Sequence, residues 1–240
     1  MTDCFAALVD ARRNGTNAVE GDGPASLDAA FTWQKRIADA LGRRPAGWKV
    51  ASHPEHGPIA APMLDGDVHA SAARVTYLPG LALEVEIGLT MTRPSRPGAE
   101  TRTSIVAAIA TSGLGLELVR SRLKQGTGAP FPTFLADGLA NVGYVTGPFA
   151  PGWREVDPAT LTCQVTHNGT VIHDGPCAHA AGDPLTWLTD YANAPRDAFG
   201  GLKPGEIITT GALCGVIPLP GPGHVTVTLS GFGTAELTLV

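Results

Sequence analysis

Charged residues are scarce in this 240-residue chain: Asp, Glu, Lys and Arg make up 16% of it, with a formal balance of −5. That leaves no basic field to hold nucleic acid. With 43% of residues hydrophobic, so little charge also excludes a wholly disordered chain. No stretch approaches the roughly 18–20 apolar residues that cross a bilayer, so no membrane partner is expected. The opening MTDCFAALVDARRNG carries an acid at Asp3 and only about five apolar residues before its next charge, too few for a secretory signal. The four cysteines, Cys4, Cys163, Cys177 and Cys214, show no C-x-x-C spacing. In an unsignalled chain they read as reduced core or loop residues, and the cytoplasm is the expected compartment. Ser112 and Ser121 have no G-x-S-x-G around them, which removes the usual setting of a serine nucleophile. Gly113-Leu114-Gly115 and the Pro-rich residues 218–223 lack phosphate-loop context and read as turns.

Glycine and proline are abundant instead, at 30 and 20 residues without a collagen period. Frequent turns between short elements favour a β-rich or mixed fold over a helix bundle. At about 1.6 times a typical domain length, one large domain with a small appendage is expected. Residues 1–45 read as that helical appendage. Thr2 can cap a first helix that carries Phe5, Leu8 and Val9 and ends near Gly15. Residues 26–41 predict a second helix: Asp28 stands in its first turn, and Leu27, Phe31, Ile37 and Leu41 keep helical spacing. Gly42 stops it, and Arg43 and Arg44 complement its dipole. Residues 46–240 then show short apolar runs between Gly and Pro clusters. These predict strands over 47–50, 81–91, 115–123, 139–146, 161–167, 170–173, 206–210, 224–229 and 234–240. Asn168-Gly169 is the strongest hairpin signal, and residues 230–233 make another. Helices are predicted over 104–112 and from Asp183 (N-cap) and Pro184 through Leu188 and Tyr191. The fold class is α+β, a mixed, mostly antiparallel sheet structure with few helices.

The most informative segment is Leu81-Ala82-Leu83-Glu84-Val85-Glu86-Ile87-Gly88-Leu89. Alternate residues of a strand face opposite sides, so Leu83, Val85, Ile87 and Leu89 share one face and Ala82, Glu84, Glu86 and Gly88 the other. Two readings are open: a half-exposed strand with outward glutamates, or carboxylates gathered for chemistry. Gly115-Leu116-Glu117-Leu118-Val119 adds a third carboxylate beside a small residue. Three glutamates on apolar strands are costly to bury without compensating positive charge. A hard divalent ion, Mg²⁺ or Mn²⁺, suits carboxylate oxygens and leaves positions for water or substrate. Lys49, the single cation in Gly47-Trp48-Lys49-Val50, is either an edge lysine with its head in water or a partly desolvated proton carrier near the carboxylates.

In order along the chain, G-W-K-V, L-E-V-E-I, L-E-L-V-R-S-R, A-D-G-L-A-N and L-K-P-G-E-I-I-T-T-G-A-L resemble the 2-keto-4-pentenoate hydratase branch of the fumarylacetoacetate hydrolase superfamily, from Gly47 to Val240. The resemblance implies N-terminal helices and a C-terminal mixed β-roll that holds Mg²⁺ or Mn²⁺, with Glu84, Glu86 and Glu117 as ligands and Lys49 as the active-site lysine. Asp137 matches the aspartate of the family's A-D-N-A-S motif, and Thr210-Gly211 matches its T-G turn near the substrate. Asp65 sits where the hydratases carry a pair of adjacent acids. A small 2-oxo acid is the implied substrate, and a homodimer or larger homo-oligomer the implied assembly.

Three departures stand out. The second acid of the pair is Gly66, A-D-N-A-S has become Ala136-Asp137-Gly138-Leu139-Ala140, and His53-Pro54-Glu55-His56 replaces the threonine and serine after the lysine. Of the superfamily's reactions, hydration of a 2-hydroxy-2,4-dienoate through a metal-stabilised enolate ranks first. Loss of CO₂ from a 4-oxalocrotonate-type acid ranks second and C–C hydrolysis of an acylpyruvate type third. His53 and Glu55 invite comparison with the hydrolases' water-activating pair, but the glycine-arginine-asparagine opening of those enzymes is missing, and His53 and His56 read as loop residues. A catalytically silent partner subunit is the non-enzymatic alternative.

Overall fold

A computed structural model describes residues 3–17 and 19–240. Asp3 accepts a hydrogen bond from the Phe5 N–H and caps α1 (Cys4–Asn14); Thr2, expected in that role, lies outside the described residues. Ser26 caps α2 (Leu27–Leu41) through the Ala29 N–H, and Gly42 closes it in the left-handed region. Leu8, Val9 and Ile37 bury together with Leu123, so the two helices share a small core with the following chain.

The strands begin with β1 (Pro45–His53), β2 (Gly57–Leu64), β3 (Val68–Ala70), β4 (Ala73–Val75) and β5 (Ala82–Met91). After α3 (Arg102–Ala108) come β6 (Ile109–Val119), α4 (Phe131–Ala136), β7 (Asn141–Pro151), β8 (Thr162–His167) and β9 (Thr170–Pro176). The chain ends with α5 (Leu185–Asn193), β10 (Ile207–Thr209), β11 (Val216–Pro218), β12 (Gly223–Leu229) and β13 (Gly233–Leu239). One sheet runs β2-β1-β10-β5-β6-β7-β3 with β11 beside β5, and the other β4-β13-β12-β8-β9. Among the described residues, β1–β10, β3–β7 and β4–β13 pair in parallel. The long pairs, including β1–β2, β5–β6 and β6–β7, are antiparallel. The α+β, mostly antiparallel class read from the sequence is the observed one.

The sheets enclose a common core in which Leu83, Val85 and Ile87 of β5 and Leu114, Leu116 and Leu118 of β6 meet Cys163, Val165, Val225, Val227 and Leu237. Alternation then turns Glu84, Glu86 and Glu117 to the opposite face. A second core gathers Trp48, Leu89, Ile105, Leu188 and Tyr191 beneath α3 and α5. Among the described residues, no helix is long and apolar enough to cross a membrane.

Some boundaries differ from expectation. The helix expected over 104–112 starts earlier, because Thr101 and Ser104 form a capping box, and it stops at Ala108. Residues 109–112 instead pair with β5 and β7. The helix expected from Asp183 begins at Leu185, whose N–H donates to the Asp183 carboxylate at 3.0 Å. Pro58 and Pro62 hide β2 from a sequence reading. They are tolerated because β2 pairs on one side only, with β1, at the sheet's edge.

Candidate functional site

Glu84 and Glu117 stand directly opposite each other across β5 and β6, with Glu86 opposite Gly115. One carboxylate oxygen from each of the three lies within 4.8 Å of the others. Glu86 and Glu117 are completely buried, which removes the half-exposed-strand reading. Like charges placed opposite each other destabilise a sheet, and Lys49 answers them: its Nζ sits 3.0 Å from Glu84 Oε2 and 3.1 Å from Glu117 Oε1. Topology explains the reach. Three-residue β10 separates β1 from β5, pairing Lys49 with Thr209 and Thr209 with Gly88. Beyond Thr209 the strand ends, and the lysine stem crosses the gap towards Glu84.

The charges do not cancel. Three carboxylates face one ammonium, leaving a deficit of two positive charges when all are ionised. Burial raises the Glu86 pKa, and Glu117 and Glu84 push it further than Lys49 and the Gly211 N–H restrain it. Burial also raises that of Glu117, against the pull of Lys49. Burial works against the Lys49 charge too, but Glu117, Glu84 and Glu86 overcome it and hold the lysine above its usual range. Glu86 Oε1 and Glu117 Oε2 are buried without a hydrogen-bond partner among the described residues. Unpartnered buried oxygens on an all-carboxylate donor set fit a hard divalent cation, which would also supply the missing charge.

Two residues that the sequence reading missed shape this face. Asn141 donates through Nδ2 to Glu117 Oε1 at 2.9 Å. Tyr144, paired with Glu117 across β6–β7, lays its ring along the strands, and its buried hydroxyl has no partner among the described residues. A Cβ at Gly115 would lie 1.6 Å from Tyr144 Oη, and one at Gly88 2.3 Å from it. Both glycines are therefore spaces for the phenol. The only signal in the sequence is their place on the glutamate face.

Thr210 is buried and its Oγ1 donates to the Ile87 carbonyl at 2.8 Å, while the Gly211 N–H donates to Glu86 Oε2 at 3.3 Å. Gly211 has φ 112°, and a Cβ there would lie 2.5 Å from Trp187 and 2.8 Å from His179. His179 Nε2 contacts the Thr210 carbonyl at 2.7 Å, and its Nδ1 accepts from the Ala181 N–H. That pattern assigns the proton to Nε2. Burial lowers the His179 pKa, so the ring is a neutral brace for the turn.

These residues bound a cavity of about 420 Å³ lined by Lys49, Glu84, Glu86, His179, Trp187 and Gly211. A second cavity of about 430 Å³ shares Lys49 and Glu84 and is otherwise mainly apolar, with Ile59, Phe131, Phe134 and Leu139. Its arginine, Arg120, donates to the Pro79 and Gly15 carbonyls. His53 also lines this cavity, stacked on His56 and tilted against Phe131, on which His56 stacks as well. The Glu55 N–H donates to His53 Nδ1.

Two expected residues lie elsewhere. Asp65 follows β2, where it accepts from the Arg44 N–H and pairs with Arg43 and Arg44. Lys49 pairs with Ala61, so four residues of strand, about 13 Å, separate their levels. Asp65 lines neither cavity. Asp137 is buried, but both its oxygens are engaged: Arg122 Nη1 lies 3.0 Å from Oδ1, and the Arg122 N–H and Ser121 hydroxyl donate to Oδ2. It holds residues 121–122 in place and also lines neither cavity.

The sequence model of the fumarylacetoacetate (FAA) hydrolase C-terminal family matches residues 46–240. The chain belongs to the FAA hydrolase family. Among its relatives, a 2-keto-4-pentenoate hydratase of Paraburkholderia phymatum is 26% identical over 186 residues, 76% of this chain and 69% of the relative. The same FAA hydrolase fold is found in 4-oxalocrotonate decarboxylase from Pseudomonas putida G7, complexed with magnesium and adipate, at TM-score 0.78, 21% identity and coverage of 99% and 97% of the two chains. Fumarylpyruvate hydrolase from Pseudomonas aeruginosa, in complex with Mn²⁺ and pyruvate, aligns at TM-score 0.57 and 15% identity, covering 82% of this chain and 89% of that one. Divalent ions thus accompany this FAA hydrolase fold, and the buried carboxylate cluster is where this chain offers oxygen ligands for one.

Proposed function

We propose that the chain is a divalent-metal-dependent hydro-lyase that adds water to a 2-hydroxy-2,4-dienoate or 2-keto-4-pentenoate-type acid. Glu84, Glu86 and Glu117 would hold Mg²⁺ or Mn²⁺. When bound, such an ion supplies Lewis-acid polarisation to the keto and carboxylate oxygens of a 2-oxo acid. Lys49 Nζ, shared by both cavities, carries the proton that must reach the substrate's carbon chain. Gly211, His179 and Trp187 form the wall that orients the acid end, the Gly211 N–H holding Glu86 in its rotamer. Thr210, expected at the substrate, lies buried behind that wall and braces it through Ile87 and His179. Asn141 fixes Glu117 in the same way. Asp137 supports from behind by tying Arg122 and Ser121 to the cavity floor.

The observation that carries this reading is the pair of unpartnered oxygens on Glu86 and Glu117, beside a lysine that opens onto a largely apolar second cavity. An unsaturated hydrocarbon tail suits that cavity. A dicarboxylate would bring its far carboxylate towards Arg120, which gives Nε and Nη1 to backbone carbonyls, and decarboxylation of an oxalocrotonate-type acid is the second reading. The deciding assay offers 2-hydroxypenta-2,4-dienoate and 4-oxalocrotonate to the protein with Mg²⁺ or Mn²⁺, then again after EDTA. Formation of 4-hydroxy-2-oxo acid, abolished by EDTA and restored by the ion, is expected. CO₂ release as the main product would replace hydration with decarboxylation, and turnover indifferent to EDTA would reject the ligand assignment.

A further inference from the structure

We propose that Cys163, His173, Cys177 and Cys214 form a second metal site, for a thiophilic cation of the Zn²⁺ type, behind the wall of the carboxylate cavity. The site is independent of which reaction the cavity performs. Its residues come from three places. Cys163 lies on β8 and His173 on β9, where Cys163 pairs with Gly175 and Val165 with His173. The two therefore stand diagonally on the face that carries the core residues Cys163 and Val165. Gly175 leaves the space between them open, and His173 Nε2 lies 4.0 Å from where a Gly175 Cβ would be. Cys177 follows β9, held by its N–H to the Leu161 carbonyl, and Cys214 lies between β10 and β11.

The ligand atoms of Cys163, His173 and Cys214 fall within 4.8 Å of one another, and Cys177 Sγ is 3.7 Å from Cys214 Sγ. A tetrahedral zinc site with Zn–S of about 2.3 Å and Zn–N of about 2.0–2.1 Å has S···S edges of about 3.8 Å and S···N edges of about 3.5 Å. The Cys177–Cys214 edge is already made, and the edges among Cys163, His173 and Cys214 close by shifts of about 1 Å; Cys177 stands outside that group of three and joins it through Cys214. His173 Nε2 is buried without a hydrogen-bond partner among the described residues, an omission that buried polar groups rarely show and that a cation would repair. Three sulfurs and one imidazole select Zn²⁺ or another soft ion over Mg²⁺ or Mn²⁺. The two clusters would thus sort metals by donor type. Burial and contact with Cys214 push the Cys177 thiol up to about 12, so it stays protonated until a cation displaces its proton.

The position gives the site a consequence. Cys177 immediately precedes Ala178 and His179, and Cys214 lies between Ala212 and Gly215, all four of them cavity-lining residues. The Ala178 N–H already donates to the Leu213 carbonyl at 2.8 Å. An ion on both cysteines would fasten the His179 wall to the Gly211 turn and stiffen the acid-binding end of the cavity.

The test uses the full chain, reduced with a phosphine and stripped with EDTA, titrated with Co²⁺ and then Zn²⁺. The expected result is a near-ultraviolet thiolate-to-Co²⁺ charge-transfer band that saturates at one equivalent and disappears on adding Zn²⁺. Even an outer-shell partner is worth about 10–100-fold in metal affinity, so Cys214→Ser and His173→Ala should each weaken Co²⁺ binding by more than about a hundredfold. Glu117→Gln should leave the band intact, which separates this site from the carboxylate cluster. His173 is only half-buried, so its variant keeps the test valid if a core cysteine variant fails to fold. Absence of the band at stoichiometric Co²⁺, or a band that survives both Cys214→Ser and His173→Ala, overturns the proposal.

Discussion

Replacing Glu86 by glutamine should stabilise the metal-free protein while destroying its affinity for the divalent ion. One carboxylate oxygen from each of Glu84, Glu86 and Glu117 lies no more than 4.8 Å from the others. At an effective dielectric of about 20, each ionised pair repels by at least about 3.5 kcal/mol. Glu86 meets two such neighbours and one ammonium, so its net penalty when charged is of the order of one pair, about 3 kcal/mol. The protein avoids part of this by raising the Glu86 pKa through burial and the neighbouring carboxylates, and the sign of the pH effect follows. A carboxyl whose folded pKa exceeds its unfolded value stabilises the fold below that unfolded value, and the contribution is lost as pH rises through the folded one. In EDTA, the wild-type melting temperature should therefore fall as pH rises above the ordinary carboxyl range. Glu86→Gln should flatten that slope. At the alkaline end the variant should melt higher, by up to roughly 6–12 °C at about 2–4 °C per kcal/mol for a chain of this size. Millimolar Mg²⁺ should restore the wild type and leave the variant unmoved. A Glu86→Gln variant that melts below wild type in EDTA at alkaline pH would show that Lys49 alone balances the cluster and that no second cation is called for.

Three further outcomes are expected. Lys49→Ala should lower kcat by at least about a hundredfold while equilibrium dialysis finds one equivalent of metal still bound. Gly115→Ala drives a methyl into Tyr144 Oη and should destabilise the fold by about 1–3 kcal/mol; a double-mutant cycle with Tyr144→Leu should recover about half or more of that loss. Asp137→Ala leaves the Arg122 guanidinium buried and unpaired, so denaturant unfolding should show a loss of about 3–5 kcal/mol. A raised KM with unchanged stability would instead make Asp137 a direct substrate ligand.

The glutamate face was legible because β5 alternates strictly: odd residues from Leu83 to Ile87 enter the core and even ones turn the other way. Asn168-Gly169 announced its hairpin for a local reason, since both residues adopt positive φ, 49° and 77°. What escaped was non-local. The pairing of Lys49 with Thr209 joins residues far apart in the chain, and no periodicity encodes it. Asp137 sits in a family-like motif, yet its carboxylate is spent on Arg122 and Ser121. Only the three-dimensional arrangement distinguishes a ligand-binding acid from a buried ion-pair partner. Three of the cysteines, read as reduced core or loop residues for want of a short spacing motif, come together where the open end of the β8–β9 hairpin meets the chain after β10.

Insertion of β10 between β1 and β5 has a cost during synthesis. Until residues 207–209 leave the ribosome, β5 can pair with β6 but has a bare edge on its other side, and the β1–β2 hairpin, though packed on α2 and α4, has no strand to join it to β5. Bare strand edges invite pairing with other chains, and long-range pairing slows folding. The carboxylate site is therefore completed late, and a chain truncated before β10 would carry Lys49 without the strand that seats it between β1 and the glutamates of β5.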